Sequence, residues 1–387
     1  MTTLLIIIYI AFIGLGLPDS LLGSAWPAMQ ADLGVPLGMA GPISMVVTGG
    51  TIVASLSSSR LISRFGTGKV TLVSVALTAL ALFGISQTRS LAPLFVLAVP
   101  LGLGAGSVDA ALNNFVALHY KALHMSWLHC FWGVGATAGP VILSLFLQRN
   151  QGWQGGYLVI SGIQLCIVAL LLCSLPLWRK ATAPAWAGED TSAAKPVTNR
   201  QALSLPHVKL ALASFVLYCG IELMAGLWAS SFFAQTKGLS AAAAAGCASA
   251  FYASITVGRF LAGLLTLRLT NRQMIRLGQL LCIAGGLLLA APGVVLPLGG
   301  LVLLGLGLAP IFPSMLHATP VRFGKENSQT VMGLQMGFAY MGSCFMPPLL
   351  GLLATWAGIS ILPAAVLVCS ALMLLATERL ENALGSR

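Results

Sequence analysis

The chain has 387 residues, 57% hydrophobic and only 7% charged, with 43 Gly and 19 Pro. A soluble domain carries about a quarter charged residues, so this composition excludes an ordinary soluble enzyme and describes a polytopic membrane protein. The formal net charge of +11 does not imply a nucleic-acid partner, because the basic residues sit in short loops between apolar runs.

The opening run, MTTLLIIIYIAFIGLGLPDSLLGSAW, has no basic leader and is long enough to cross a bilayer. It reads as a first membrane helix rather than a signal peptide. Counting further apolar runs of sufficient length predicts twelve spans: 4–26, 39–60, 70–88, 92–118, 127–148, 156–178, 208–231, 241–265, 273–291, 294–318, 329–354 and 360–377. With the N-terminus inside, sixteen of the 20 Lys and Arg fall on the cytoplasmic side. Arg89, Arg149 and Lys237 fall outside and Arg259 lies within a span. That asymmetry predicts an even number of spans and two cytoplasmic termini. Trp26, Trp127 and Trp153, near span ends, are expected to anchor at the interface. The eight cysteines, Cys130, Cys166, Cys173, Cys219, Cys247, Cys282, Cys344 and Cys369, stand in apolar runs without a CxxC pair, which predicts small core residues rather than a metal site or a disulfide framework.

The longest hydrophilic stretch, residues 179–207, is rich in Ala, Pro, Ser and Thr and reads as a cytoplasmic linker between a six-helix bundle over 1–178 and a second over 208–387. Displacing the chain by 203 residues lays Asp19 on Glu222, Gly102 on Gly305, Gly104 on Gly307 and Asn114 on His317, and nearly superposes Arg64 on Arg268. Parallel six-span repeats predict a solute site near the bilayer midplane between two halves.

With these features the whole chain resembles the major facilitator superfamily. The loop SSSRLISRFGTGKV, Ser57 to Val70, resembles that superfamily's loop signature at Arg64, Phe65, Gly66 and Lys69, while Ser59 and Ser63 replace the expected Gly and Asp. The resemblance implies a gating role for Arg60, Arg64 and Lys69, supplemented by other contacts. Within the superfamily, the fourth and fifth spans resemble the fucose/galactose/glucose proton symporters and related sodium-dependent glucose transporters. Those symporters carry an acid opening the pattern acid-x-A-A-N-P-F-V, and this chain has DAALNNFV from Asp109 to Val116. A second family acid in the first span corresponds to Asp19. Where the family has Gln and Asn in its fifth span, this chain has His129 and Trp132.

Read from the residues themselves, the stretch from Gly102 to Pro140 is the most informative. A carboxylate facing lipid is costly, so Asp109 is expected to face a protein interior or a water-filled cavity. Asn113, four residues on, shares its helix face, whereas Asn114 points elsewhere, toward a neighbouring helix. Gly102, Gly104 and Gly106 are expected to admit close helix approach. Pro18 lacks an N–H and should free the carbonyl of Gly14, leaving either a cavity-lining acceptor or a plain kink. His119, His124 and Lys121 read as interfacial. Arg259, in the apolar ITVGRFLAG, needs an anion: Glu222, a backbone carbonyl or an acidic substrate.

These readings predict an all-α fold of twelve transmembrane helices in two pseudo-symmetric six-helix bundles, and no enzyme: the chain has no GxxxxGK[ST] loop, no hydrolase spacing and no metal-ligand cluster. The expected function is ion-coupled symport of a small hydroxyl-rich solute such as a sugar, by alternating access. Asp109, Asp19 and Glu222 carry the ion, a proton with sodium as the alternative. Asn113, His129, Trp132, Gln335, Tyr340 and Arg259 contact the solute. No cofactor is expected, and the resemblance implies a working monomer in the cell membrane, here read as a bacterial inner membrane. The rival readings are a proton-driven exporter of drugs or metabolites, for which 13 Met and 16 Phe would line the cavity, and a receptor that moves nothing.

Overall fold

The computed structural model describes residues 2–120, 122–181 and 199–385, and these are helical almost throughout. In chain order the helices are α1 (Thr2–Asp19), α2 (Leu21–Leu33), α3 (Ala40–Phe65), α4 (Thr67–Ser86), α5 (Leu91–His119), α6 (Ala122–Gln148), α7 (Gly152–Ala181), α8 (Asn199–Ser204), α9 (Val208–Lys237), α10 (Ala241–Leu265), α11 (Asn271–Leu289), α12 (Val295–His317), α13 (Thr319–Phe323), α14 (Lys325–Ala357) and α15 (Leu362–Gly385). Helices prevail because a chain this apolar must satisfy each backbone N–H and C=O within its own segment.

Among the described residues, eleven stretches are long and apolar enough to cross a membrane, one fewer than the twelve expected. The remaining expected span is α11, a helix of 19 residues whose first turns carry Asn271, Arg272, Gln273 and Arg276. Those polar turns are held by protein. Thr270 caps the helix by accepting from the Gln273 backbone N–H, and the Gln273 side chain accepts in return from the Thr270 N–H. Arg272 and Arg276 both pair with Glu378 on α15, and Arg322 of α13 pairs with Glu381.

The first span, expected to end at residue 26, runs from Thr3 to Leu33 and is interrupted at Ser20, between α1 and α2. The interruption follows Pro18, which can neither donate to the carbonyl four residues back nor fit its ring beside it.

The chain divides into two compact units. One comprises Met1–Pro184 with Gly226–Ala253 and Gly351–Ile359; the other comprises Ala185–Ala225, Ser254–Leu350 and Ser360–Arg387. In the first unit α5 packs on α3 and α4, α4 on α7, and α1 on α6 and α7. The core residues Ile8, Phe12, Leu112, Phe115, Leu128, Leu171 and Trp178 fill the space enclosed by α1, α5, α6 and α7. In lipid such contacts act through packing, since the surrounding acyl chains are as apolar as the side chains.

The same unit includes the far end of α9 and the start of α10, tied to the N-terminal helices by polar contacts. Ser144 Oγ donates to the Ala242 carbonyl at 2.9 Å, Ser249 Oγ to the Thr137 carbonyl at 3.0 Å, and Gln235 Nε2 to Gln30 Oε1 at 3.2 Å.

The second unit is built on α11, which packs against α12 and α15, and on a core of Ala202, Val208, Ala211, Leu212, Phe323, Val331 and Leu380. Ala202 belongs to α8, a short helix inside the stretch expected to be linker, and α7 continues to Ala181; residues 182–198 of that stretch lie outside the described residues.

Small residues set the helix spacing in each unit. A Cβ at Gly102 or Gly106 would collide with α3, and one at Gly104 would stand 2.6 Å from the Ser74 carbonyl of α4. In the other unit a Cβ at Gly307, the residue 203 places after Gly104, would stand 2.6 Å from the Gly278 carbonyl of α11. The weak internal repeat read from the sequence is thus matched by one packing device used at equivalent helices.

Two surface expectations are corrected. Trp26 and Trp153 are fully or almost fully buried against protein rather than exposed as anchors, and each indole N–H finds a protein acceptor: Trp26 donates to the Leu37 carbonyl at 2.8 Å and Trp153 to Oδ2 of the exposed Asp32 at 3.0 Å. Trp127 is exposed as expected. Of the cysteines, Cys219, Cys247, Cys282 and Cys344 are buried, whereas Cys166 and Cys173 lie exposed on α7.

Candidate functional site

The break between α1 and α2 falls directly after Asp19, the last residue of α1. The Gly14 carbonyl, left without its helical donor by Pro18, accepts instead from Gln164 Nε2 of α7 at 2.5 Å. Gln164 is almost fully buried. This acceptor is therefore occupied by protein, as a plain kink at Pro18 requires.

Asp19, the last residue of α1, is exposed, although Pro18 and Ser20 on either side of it are buried. Trp132 of α6 donates its indole N–H to Asp19 Oδ2 at 2.7 Å.

Asp109 and Asn113 share a helix face as their spacing predicts. Asn113 Nδ2 donates to Asp109 Oδ1 at 2.8 Å and to the Asp109 carbonyl at 3.0 Å, and both residues are half-buried. The Asn114 side chain, Lys121 and the Arg60 side chain lie outside the described residues. His119 is folded back on its own helix: its Nδ1 is 2.9 Å from the Phe115 carbonyl, and its ring stacks on Phe115 at 4.2 Å. Local bonding leaves it no reach toward Asp109.

An aromatic wall joins α1 to α6. Tyr9 stacks on Phe131 with centroids 4.6 Å apart and its hydroxyl meets His124 Nδ1 at 2.9 Å, so His124 is part of the helix contact rather than a loose interfacial group. His129 is exposed and meets Phe12 edge-on at 6.0 Å. The Trp132 ring lies edge-on to Tyr252 of α10, with centroids 6.4 Å apart and planes at 79°. Trp132 therefore touches the acid with one edge and the second repeat with its ring.

In the second unit Glu222 and Arg259 form an ion pair at 3.7 Å, with side chains 11% and 20% accessible. Of the three anions a buried Arg259 might have met, the fold supplies Glu222. Gln335 is almost fully buried; its Oε1 accepts from Thr319 Oγ1 at 3.0 Å, and among the described residues its Nε2 has no partner. Tyr340 is half-buried on the same helix. At the loop signature, Arg64 is exposed with its guanidinium over the Phe65 ring, 5.4 Å from the centroid, and Lys69 is exposed in the first turn of α4.

Three residues absent from the sequence reading make contacts in and around the first unit's helices. Gln164 is a single amide in an apolar span and was detectable as such, since polar groups in spans need partners. Asp32, at the end of α2, accepts from Trp153 and from Gln154 Nε2 at 2.9 Å, and nothing in its sequence context distinguishes it from a loop acid. Tyr252, in FYAS, carries no sequence signal at all.

The family model described as Major Facilitator Superfamily matches residues 8–334 and 210–384. Among relatives, Bypass of stop codon protein 6 of Saccharomyces cerevisiae is 24% identical over 285 residues, 68% of this chain and 57% of that protein. The 4-hydroxybenzoate transporter PcaK of Pseudomonas aeruginosa is 25% identical over 165 residues, 42% of this chain and 37% of that protein. The chain thus spans less than two thirds of the length of either relative. Among solved structures, that of the nucleoside transporter NupG superposes with a TM-score of 0.74 at 12% identity, over 98% of this chain and 97% of that one. The fucose:proton symporter FucP of E. coli gives a TM-score of 0.64 at 18% identity, over 97% and 98%. Likeness at these identities establishes a shared fold.

Proposed function

Because the chain belongs to the Major Facilitator Superfamily, and is thus a multi-pass membrane transporter of small molecules rather than an enzyme, we propose that it is a proton-coupled symporter of a hydroxyl-rich solute such as a sugar. The observation that carries this reading is the exposed carboxylate of Asp19 at the break in the first span. It is held by the neutral donor Trp132. A carboxylate held by a neutral group can gain and lose a proton without disrupting an ion pair, whereas Glu222 faces the permanent cation Arg259.

In this reading Asp19 and Asp109 carry the proton, with sodium as the alternative ion, and the Glu222–Arg259 pair supplies fixed charges to the second unit. Asn113, His129, Trp132, Gln335 and Tyr340 are the proposed solute contacts: amides and an imidazole for hydroxyls, aromatic rings for the faces of a sugar ring. The protein works as a monomer in the cell membrane with both termini cytoplasmic, the stretch 179–207 joining its halves, and Arg60, Arg64 and Lys69 at the cytoplasmic gate. The fucose:proton symporter and the nucleoside transporter with the same fold both handle solutes bearing hydroxylated rings, which supports this class. The similarity to PcaK adds hydroxylated aromatic acids to the compounds worth testing.

The test is uptake of fucose, uridine and 4-hydroxybenzoate into proteoliposomes under a pH gradient, a Na+ gradient or neither. Accumulation of fucose or uridine under the pH gradient alone supports the proposal, and accumulation under the Na+ gradient alone replaces the proton with sodium. Accumulation of 4-hydroxybenzoate alone moves the solute to organic acids. If nothing accumulates, symport of these classes is refuted and export is the next assay.

A further inference from the structure

We propose that Trp132 links solute to proton, holding Asp19 in its charged form until a solute occupying the ring takes the indole away. This rests on the symport reading above and adds how one site senses the other. The indole N–H donates to Asp19 Oδ2 at 2.7 Å, and the ring of the same side chain stands edge-on to Tyr252 at 6.4 Å. One rigid side chain thus contacts both the acid and an aromatic of the second repeat. Indole and phenol faces are what a sugar or nucleoside ring packs against, so a solute seated there displaces the ring that carries the N–H.

The energetic consequence follows from the chemistry of the bond. A donor to a carboxylate favours the charged form, and its removal favours the protonated form. Solute that withdraws the indole therefore raises the affinity of Asp19 for a proton. By reciprocity a proton on Asp19, which weakens the hold on Trp132, raises the affinity for solute by the same factor. A hydrogen bond to a charged group corresponds to a factor of roughly ten or more. No group other than Trp132 needs to move for this coupling.

Among the described residues, the titratable groups on the helices around α1 and Trp132 include these. From α5 comes Asp109, already bonded to Asn113. From α6 come His129, edge-on to Phe12, and His124, bonded to Tyr9. From α10 comes Tyr252. The α7 residue packed on α1 is the neutral Gln164. Lys69 lies at the start of α4, and Asp32 at the far end of α2 is held by Trp153 and Gln154. Of these, Asp109 is the acid that competes for the same role.

The experiment uses the full-length protein in lipid nanodiscs. Fucose and uridine binding are measured from pH 5 to 9 for wild type, Trp132→Phe, Tyr252→Leu and Asp19→Asn, and infrared spectra are titrated without solute. Trp132→Phe keeps a ring but has no N–H. It should bind solute across the whole range with an affinity near that of wild type at low pH, and so lose most of a roughly tenfold pH dependence of affinity. Without solute, its protonated-carboxyl band, identified by its absence in Asp19→Asn, should appear about one pH unit above that of wild type. A tenfold change in proton affinity is one such unit.

Retention of the wild-type pH dependence and of the wild-type band midpoint in Trp132→Phe overturns the proposal. If Trp132→Phe does not fold, Tyr252→Leu, which frees the ring but keeps the N–H, carries the test. It should weaken solute binding and leave the infrared midpoint in place, and a shifted midpoint overturns the proposal. Because the infrared titration needs no solute, its failure is separable from failure of the symport reading, which the uptake panel tests.

Discussion

Gln164 of α7 donates its amide to the carbonyl of Gly14, the acceptor that Pro18 strips of its helical partner. The first span can therefore break at Ser20 without leaving a backbone oxygen bare, and the break is what sets Asp19 beside Trp132. Gln164→Leu removes the donor while keeping the bulk. It should lower stability by about 1–3 kcal/mol, the cost of an orphaned buried acceptor. Thermal unfolding in detergent against wild type measures it, and an unchanged melting temperature would show that the Gly14 carbonyl does not depend on this side chain.

Asp109 and Asn113 act as a unit through the 2.8 Å amide–carboxylate bond. Asp109→Asn should abolish gradient-driven accumulation, at least tenfold below wild type, while exchange of labelled against unlabelled solute persists. Asn113→Leu removes a hydrogen bond to a charged group, worth about 1.5–3 kcal/mol, and should impair both accumulation and exchange. Parallel assays in the same proteoliposomes separate the two. Accumulation surviving in Asp109→Asn would remove this acid from the coupling scheme.

Glu222 and Arg259 compensate each other in a poorly solvated part of the second unit. Arg259→Ala alone leaves an uncompensated carboxylate and should cost about 3–5 kcal/mol. Neutralising both partners, Glu222→Gln with Arg259→Gln, should recover at least half of that loss. A double-mutant cycle by thermal or denaturant unfolding reads the coupling, and strictly additive losses would mean the pair contributes nothing as a pair.

Gly102 lies where α5 and α3 touch backbone to backbone, and a Cβ there would overlap the Val47 carbonyl. Gly102→Ala should therefore destabilise by about 1–3 kcal/mol, as overpacking does. Gly162 on α7 has nothing within 4 Å of the position its Cβ would take, so Gly162→Ala should be neutral or stabilise by about 0.5–1 kcal/mol. Comparing the two melting temperatures tests whether close approach, rather than glycine itself, is what the helix pair requires.

Much of this protein was readable from its residues, and the reason differs with the feature. The helical membrane fold follows from composition and run length, because a bilayer admits few other ways to satisfy a backbone. The Asp109–Asn113 contact follows from helical periodicity, since residues four apart on one helix are neighbours wherever the helix packs. Arg259 announced its need for an anion, though three candidates were open until the fold brought Glu222 to it.

Boundaries were less legible. The first span runs on to Leu33 past its proline, and α11 is polar enough at its start to fall short of an apolar span, because protein contacts such as the Thr270 cap and the Glu378 pairs replace what lipid cannot supply.

By itself, then, the sequence determined the class of fold, the internal repeat and which polar residues the membrane would not tolerate without a partner. These depend on local periodicity and on the cost of polar groups in hydrocarbon. Only the tertiary structure decided the partners: Trp132 for Asp19, Gln164 for Gly14, Asp32 for Trp153, and Tyr252 against the Trp132 ring. Each of these joins residues more than a hundred positions apart. Which face of one helix meets which face of another is settled by packing the whole bundle, and no periodicity within a single segment encodes it.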